Sequence, residues 1–183
     1  MKSSLPKAVA LGGGHGLAAS LQALRQVTDQ LTAIVTVADD GGSSGRLRAE
    51  LGGLPPGDLR MAMAALAGDS ARGRNWSRLL QERFHGDGPL AGHAVGNLLI
   101  EAAWQDRDFV VGLDTLGWLL ELEGRVLPMS SVPLQIEADV LGLDAADSQA
   151  ATIVRGQHEV GVTKGTILSL IHISEPTRRY AIS

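Results

Sequence analysis

A short apolar run that ends in a cluster of glycines lies near the start of the chain and constrains its fold more than any other feature. Lys7 to Leu11 is typical of a strand, LGGGHGL follows, and Leu17 to Val27 places apolar residues at helical spacing. A second apolar run, Leu31 to Val37, is typical of a buried parallel strand. This order predicts an open α/β sheet, whose ligands bind beyond the carboxyl ends of the strands.

The rest of the chain continues the alternation of helices and strands. Helices are predicted for the segment that Asp58 caps and Gly68 ends, for Asn75 to Phe84, for Gly92 to Trp104 and for Asp108 to Glu123. Strands are predicted at Val126 to Met129, Gln135 to Leu141 and Ala151 to Val160. We therefore predict a Rossmann-like open parallel sheet with helices on both faces.

Composition excludes several classes of protein. The 183 residues are 44% hydrophobic, which is enough for one domain with its own core. The chain has no cysteine, so disulfides and thiolate metal sites are excluded. Its net charge is −4 and no basic stripe carries interleaved aromatic residues, so nucleic acid is not an expected partner. No apolar run approaches the length of about 20 residues that spans a membrane, and a cytoplasmic protein is expected.

The first glycine loop has the composition of a phosphate-binding loop. Exposed amides at a helix N-terminus attract phosphate, and glycine allows the backbone to come close. The dinucleotide-binding pattern fails because Leu17 occupies the position of its third glycine, and no GK[ST] follows as in a P-loop. A tight turn is the alternative, and His15 either donates to phosphate or points to solvent. The candidate binding residues here are Gly12, Gly13, Gly14, His15 and Gly16.

Two adjacent carboxylates follow the second predicted strand. Asp39 and Asp40 occupy the ligand-binding edge of the sheet, where an acid can hold ribose hydroxyls. A neighbouring pair of acids can instead hold Mg²⁺, which prefers carboxylate oxygens. The third interpretation is an Asx-turn that only leads the chain out of the strand.

The residues after these acids can form a second anion-binding loop. A backbone nest with two hydroxyl donors is predicted for Gly41, Gly42, Ser43, Ser44 and Gly45. Arg46, next to the nest, is expected to contact the ligand, because a guanidinium can fork onto a phosphate or carboxylate. For Arg48, a surface salt bridge is an equally good interpretation.

Two further pairs of polar residues occur at predicted helices. Asp58 and Arg60 stand at a helix start, where capping alone is sufficient to explain Asp58. His93 and Asn97 are spaced i and i+4 and so share one face of a helix that is otherwise apolar. We include all four among the candidate ligand-binding residues.

The C-terminal segment does not resemble the rest of the chain. Leu168 to Arg178 reads LSLIHISEPTR, which resembles a translation of the transposase adapter used in sequencing libraries. The fixed adapter sequence would resume at Ile182 and Ser183. We therefore predict a native segment, 1–167, that is the N-terminal part of a truncated nucleotide-binding domain, and a non-native tail, 168–183. The alternative is a native strand followed by a polar end.

Several motifs in this order resemble the YvcK-like gluconeogenesis factors of the CofD-like superfamily. They are LGGGHGL, TAIVTVADDGGSSGRLR, LPPGDLR, LAGHAVGNLLI and GRVLP, and they span nearly the whole native segment. The other branch of this superfamily, the 2-phospho-L-lactate transferases, has an acidic loop of type NTGDD where this chain has VADDGGSSG. The family also carries a glycine-rich GPGS loop in its C-terminal half, which this sequence lacks.

The resemblance implies a protein that binds a nucleotide or a nucleotide-sugar such as UDP-N-acetylglucosamine. It also implies a regulatory role in carbon metabolism, cell shape and cell-wall synthesis. The alternative is a Mg²⁺-dependent transferase that acts on a nucleotide diphosphate ester, with Asp39 and Asp40 holding the metal. A NAD-dependent oxidoreductase is disfavoured by the missing third glycine. A homodimer is compatible with this function.

Overall fold

The computed structural model describes residues 6–144 and 147–174, and within these it shows an α/β arrangement with two small sheets. Its strands are β1 Ala8–Gly12, β2 Leu31–Val35, β3 Arg125–Pro128, β4 Leu134–Leu141, β5 Ala151–Arg155 and β6 Thr166–Ser174. Its helices are α1 Gly14–Leu24, α2 Gly42–Leu51, α3 Gly57–Leu66, α4 Ala71–Gln81, α5 Val95–Trp104, α6 Phe109–Leu120 and α7 Gln157–Val162. None of these described helices has the length and apolar character needed to cross a membrane.

The first sheet is parallel, which confirms the predicted fold class. Its strand order is β1-β2-β3, and Ala33 of β2 lies beside Ala10 of β1 and Val126 of β3. These three side chains are buried in the core on which α1 and α3 pack. The alternate residues point to the opposite face, where Val9 and Leu11 are 57% and 74% exposed. In the described residues the helices that cover the sheet therefore lie on one face and the other is largely open, whereas the sequence predicted helices on both faces.

The second sheet is antiparallel, with the strand order β5-β4-β6. β4 and β5 pair as the predicted strand pair, with Ala138 opposite Val154. The strand predicted at Ala151 to Val160 is too long, because β5 ends at Arg155 and α7 begins at Gln157. Gly156 breaks the strand with φ +96°, a conformation that favours glycine. This sheet has a small hydrophobic core that is separate from the core of the first sheet. Ala38, which follows β2, packs into this small core.

The boundaries of most helices shift by a few residues from the prediction. α1 begins at Gly14, so the glycine run forms its first turn. α4 begins after Ser70, whose hydroxyl accepts from the Gly73 amide at 3.0 Å and acts as the N-cap. α5 begins only at Val95.

The predicted nest at Gly41 to Gly45 is wrong, because Gly42–Leu51 is the helix α2. The stretch RLRAEL consists of good helix formers, and their propensity extends the helix back to the glycines. Ser43 and Ser44 are consequently buried in the first turn instead of lining a loop.

Candidate functional site

The glycine loop and the acidic loop lie side by side at the carboxyl edge of the parallel sheet. The Thr36 amide donates to the Gly12 carbonyl at 2.9 Å, which carries the β1–β2 pairing beyond the end of β2. Gly13 approaches the first turn of α3 so closely that a Cβ there would lie 2.2 Å from oxygens of Thr36 and Asp58. A side chain at position 13 would therefore push the loop away from α3.

Asp58 stands inside the first turn of α3 and does not cap it, so the predicted capping role is wrong. The residue before the helix is Pro56, and no side chain caps this end. Asp58 Oδ2 instead accepts from Thr36 Oγ1 at 2.7 Å. The carboxylate thus joins the end of β2 to α3 directly beside the glycine loop.

Asp39 lies between the N-termini of α2 and α3. Its Oδ1 accepts from the Gly41 amide at 3.0 Å. This hydrogen bond forms the Asx-turn that was one of the three interpretations of the acidic pair. Gly57 is packed against it, because a Cβ at Gly57 would lie 2.9 Å from Asp39 Oδ2 and 2.3 Å from Ser44 Oγ. The first turns of the two helices therefore meet at this carboxylate.

Asp40 points away from Asp39, toward the second sheet. Its Oδ1 accepts from the His158 amide at 2.8 Å, and the Gly156 backbone lies against Oδ2. A cavity of about 470 Å³ opens beside it, lined by Asp40, Gly45, Arg48, Ala49, Gln135, Arg155 and Gly156. The two neighbouring acids thus have separate partners in the described residues.

A buried chain of polar side chains links α2, α3 and α5. Arg60 Nε donates to Asn97 Oδ1, and Asn97 Nδ2 donates to Ser43 Oγ, each at 2.9 Å. Ser43 Oγ lies 2.9 Å from His93 Nδ1. Because the hydroxyl already accepts from Asn97, its own hydrogen is free to donate to a neutral His93 ring.

The charges of the side chains in this hydrogen-bonded network follow from their burial. Burial lowers the pKa of His93, and Arg46 and Arg83 act in the same direction, whereas Glu50 opposes them. The lowered pKa favours the neutral ring, which can accept from the Ser43 hydroxyl. Burial lowers the pKa of Arg60 to about 10, with Arg83 adding to the effect and Asp58 and Asp39 opposing it. Arg60 therefore stays positively charged at neutral pH, within electrostatic reach of both carboxylates.

The outer arginines bind backbone carbonyls of neighbouring segments. Arg46 Nη2 donates to the Ala91 carbonyl at 2.7 Å, and Arg48 Nη1 donates to the Leu134 carbonyl at 2.8 Å. The surface salt bridge considered for Arg48 is thus replaced by a backbone contact to β4. Arg46 is exposed, so its guanidinium remains accessible.

The remaining candidate residues are exposed at the starts of α1 and α2. His15 and Gly16 are exposed in the first turn of α1, and Gly42 is exposed at the start of α2. Neither α1 nor α2 has a side-chain cap hydrogen bond or an acidic residue in its first turn. The N-terminal amides of these helices are therefore available to an anion.

The sequence analysis did not identify three residues that affect this site. Thr36 is a polar residue in an otherwise apolar run, and that signal could have revealed it. Gly57 follows two prolines, where a turn explained it well enough. Arg83 affects His93 and Arg60 through space only, so no local pattern identifies it.

The chain matches a known protein family. The model of the family described as "2-phospho-L-lactate transferase CofD" matches residues 8–178. The chain belongs to the CofD family. The matched range extends beyond Leu168, and the boundary between a native segment and an adapter-derived tail stays a prediction.

Relatives in this family carry the name that the sequence motifs indicate. A "Putative gluconeogenesis factor" of Mycobacterium leprae is 53% identical over 182 residues, covering 98% of this chain and 50% of the relative. The "Gluconeogenesis factor" of Bacillus subtilis is 40% identical over 136 residues, covering 74% of this chain and 42% of the relative. The resemblance to gluconeogenesis factors is thereby confirmed, and the chain spans about half the length of these relatives.

A solved structure supports the fold. A protein of Bacillus halodurans, determined by X-ray crystallography, superimposes with a TM-score of 0.80 at 35% sequence identity. The match covers 94% of this chain and 53% of that protein. The chain therefore shares its overall fold with that protein.

Proposed function

We propose that the carboxyl edge of the parallel sheet binds a nucleotide-sugar, with UDP-N-acetylglucosamine as the first ligand to test. Its diphosphate would lie against the first turns of α1 and α2, and its hydroxyls against the nearby carboxylates. The protein would act as a regulatory binder in carbon metabolism, cell shape and cell-wall synthesis, located in the cytoplasm.

The observation that carries the proposal is the uncapped start of α1 beside the Asp58–Thr36 pair. Helix amides attract phosphate, whereas a carboxylate repels phosphate and accepts hydrogen bonds from hydroxyls. Gly13 brings these two opposite environments together, because its lack of a side chain lets the loop touch Asp58. A ligand with both phosphates and hydroxyls suits such an edge, and the charge of Arg60 balances the acids.

A binding role is favoured over catalysis by the state of the hydroxyl–imidazole pair. Ser43 and His93 lie at hydrogen-bonding distance, as a nucleophile and its base would. Both are only 5% exposed, and Asn97 donates to the same hydroxyl. The pair therefore holds α2 to α5, and a substrate carbonyl or phosphoryl group has no room to reach it.

A second candidate function is a Mg²⁺-dependent phospholactate transferase, favoured by the description of the family. Mg²⁺ is usually held by one or two carboxylates together with substrate phosphates. Both acids already accept a backbone amide, Asp39 from Gly41 and Asp40 from His158. Asp39 fits this role better because it lies beside the first turns of α2 and α3, where the phosphates would bind. In the described residues no group of three or more His, Asp or Glu side chains could hold a metal, so the phosphates would have to complete the site.

Calorimetric titration of the chain distinguishes the two candidates. UDP-N-acetylglucosamine, a guanosine diphosphate ester of lactate and NAD are each added with and without Mg²⁺. Saturable binding of the UDP-sugar without chemical change supports the regulatory binder. Release of guanosine monophosphate from the lactate ester, with transfer of the phospholactyl group to the hydroxyl of an added acceptor alcohol, would instead establish the transferase, and preference for NAD would contradict both.

A further inference from the structure

A second cavity lies outside the carboxyl edge of the sheet and shares no residue with the candidate nucleotide site. Its volume is about 500 Å³, which is within the range of small-molecule sites. It is formed where the end of α2 meets α5 and the start of α6. The lining residues are Leu51, Gly52, Gly53, Leu98, Glu101, Ala102, Trp104, Gln105, Arg107 and Phe109.

A buried carboxylate in the wall of this cavity has unused hydrogen-bonding capacity. Glu101 is only 7% exposed, and its Oε2 accepts from Trp104 Nε1 at 2.8 Å. Its Oε1 is buried without a hydrogen-bond partner among the described residues. Burial raises the pKa of Glu101, and the hydrogen bond from Trp104 only partly opposes this. Such a group is costly unless a donor or a positive charge compensates it.

Apart from Gln105 and the exposed Arg107, the remainder of the wall is apolar and aromatic. Trp104 and Phe109 form an edge-to-face pair with ring centroids 5.0 Å apart and an interplanar angle of 89°. Leu51 and Leu98 line the same space. Aromatic faces attract organic cations in addition to burying their apolar parts.

We propose that this cavity binds a small organic cation, whose protonated nitrogen donates to Glu101 Oε1 and whose apolar part packs beside Trp104. When Glu101 is ionised its Oε1 can only accept, so a ligand with a donor compensates it. A metal ion is a poor fit, since Glu101 is the only carboxylate among the lining residues. This inference does not depend on the nucleotide-sugar proposal.

The test uses benzylammonium as the probe and benzyl alcohol as its neutral counterpart. Binding is followed by NMR at the Trp104 indole N–H, which is assigned among the three tryptophans by its loss in Trp104→Phe. We expect a saturable shift with benzylammonium. We expect Glu101→Gln to weaken benzylammonium about tenfold or more, as for the loss of a hydrogen bond to a charged group, and to change benzyl alcohol little.

A second variant keeps the test decisive if Glu101→Gln alters the fold. Ala102 lines the cavity but is exposed, so Ala102→Phe should fill the space without removing the carboxylate. It should block both probes and leave the circular dichroism spectrum unchanged. The absence of a saturable shift at Trp104 in the parent chain, or equal benzylammonium affinity in Glu101→Gln, would overturn the proposal.

Discussion

The hydroxyl of Thr36 donates to Asp58 Oδ2 at 2.7 Å, and this single contact ties the end of β2 to the start of α3. Because Gly13 packs against both residues, the contact also sets the position of the glycine loop. The phosphate-attracting end of α1 and the carboxylate of Asp58 are thus held in one arrangement before any ligand arrives.

Replacing Thr36 by valine removes the donor while nearly keeping the shape of the side chain. We expect Thr36→Val to lower the free energy of unfolding by about 1 to 3 kcal/mol, because Asp58 loses a partner in a partly buried setting. Urea denaturation measures this change. Thr32→Val, on the same strand and also partly exposed, is the matched control and should cost much less.

An alanine at Gly13 tests the close approach of the loop. The new Cβ would lie 2.2 Å from the Thr36 and Asp58 oxygens, so one side must move. We expect Gly13→Ala to destabilise the protein by roughly 1–3 kcal/mol, as overpacking does, and to weaken UDP-N-acetylglucosamine binding.

Gly16→Ala is the control for the change at Gly13. It lies three residues further along, in the first turn of α1, and its Cβ would meet nothing within 4 Å. Since alanine is the better helix former, we expect a gain of about 0.5–1 kcal/mol in the free energy of unfolding. If the two variants behave alike, the close packing at Gly13 has no energetic consequence.

Arg46 is the exposed arginine next to the α2 N-terminus, and we expect it to contact the ligand. Arg46→Ala should weaken nucleotide-sugar binding by roughly 1.5–3 kcal/mol, the range for a hydrogen bond to a charged group. Calorimetry measures this, and Arg78→Ala, an exposed arginine in α4, controls for the loss of one positive charge. Unchanged affinity would leave Arg46 only its contact with the Ala91 carbonyl.

The buried His93 should make stability depend on pH. Burial lowers its pKa below the ordinary value of 6.5 in the folded protein, so below that pH the unfolded chain binds more protons than the folded one. The free energy of unfolding should therefore fall as pH falls below 6.5.

The variant His93→Asn separates this effect from other titrating groups. Asparagine places a polar atom near the position of Nδ1 and does not titrate in this range. We expect the slope of stability against pH to flatten below pH 6.5 in denaturation curves recorded at several pH values.

The sequence was most informative where structure is local. The apolar runs around Ala10 and Ala33 predicted two parallel strands because strand burial leaves a direct composition signal. The start of α2 was missed because the glycines of GGSSG masked the helix-forming RLRAEL that follows. The pairing of Thr36 with Asp58 joins residues 22 positions apart, and no periodicity reports such a contact. The site was therefore predictable as a set of loops, but not as a network of contacts.

The tail prediction can be tested by deletion. β6 pairs with β4 along its length, yet Leu168, Leu170 and Ile171 are each about half exposed. Residues 175–183 lie outside the described residues, so the expectation that they contribute few core contacts has no structural counterpart here. Because no binding motif lies in 168–183, we expect its deletion to leave UDP-N-acetylglucosamine affinity as it was.

A surface substitution complements this deletion. If β6 pairs only incidentally, Ile171→Thr should change the free energy of unfolding by no more than about 0.5 kcal/mol, as at other surface positions. Joining the C-terminal half of the longer relatives to residue 167 should raise ligand affinity, because we expect that half to supply a further glycine loop and to cover the face of Val9 and Leu11. If deletion of 168–183 abolished ligand binding while the circular dichroism spectrum was preserved, these residues would instead contribute to ligand binding.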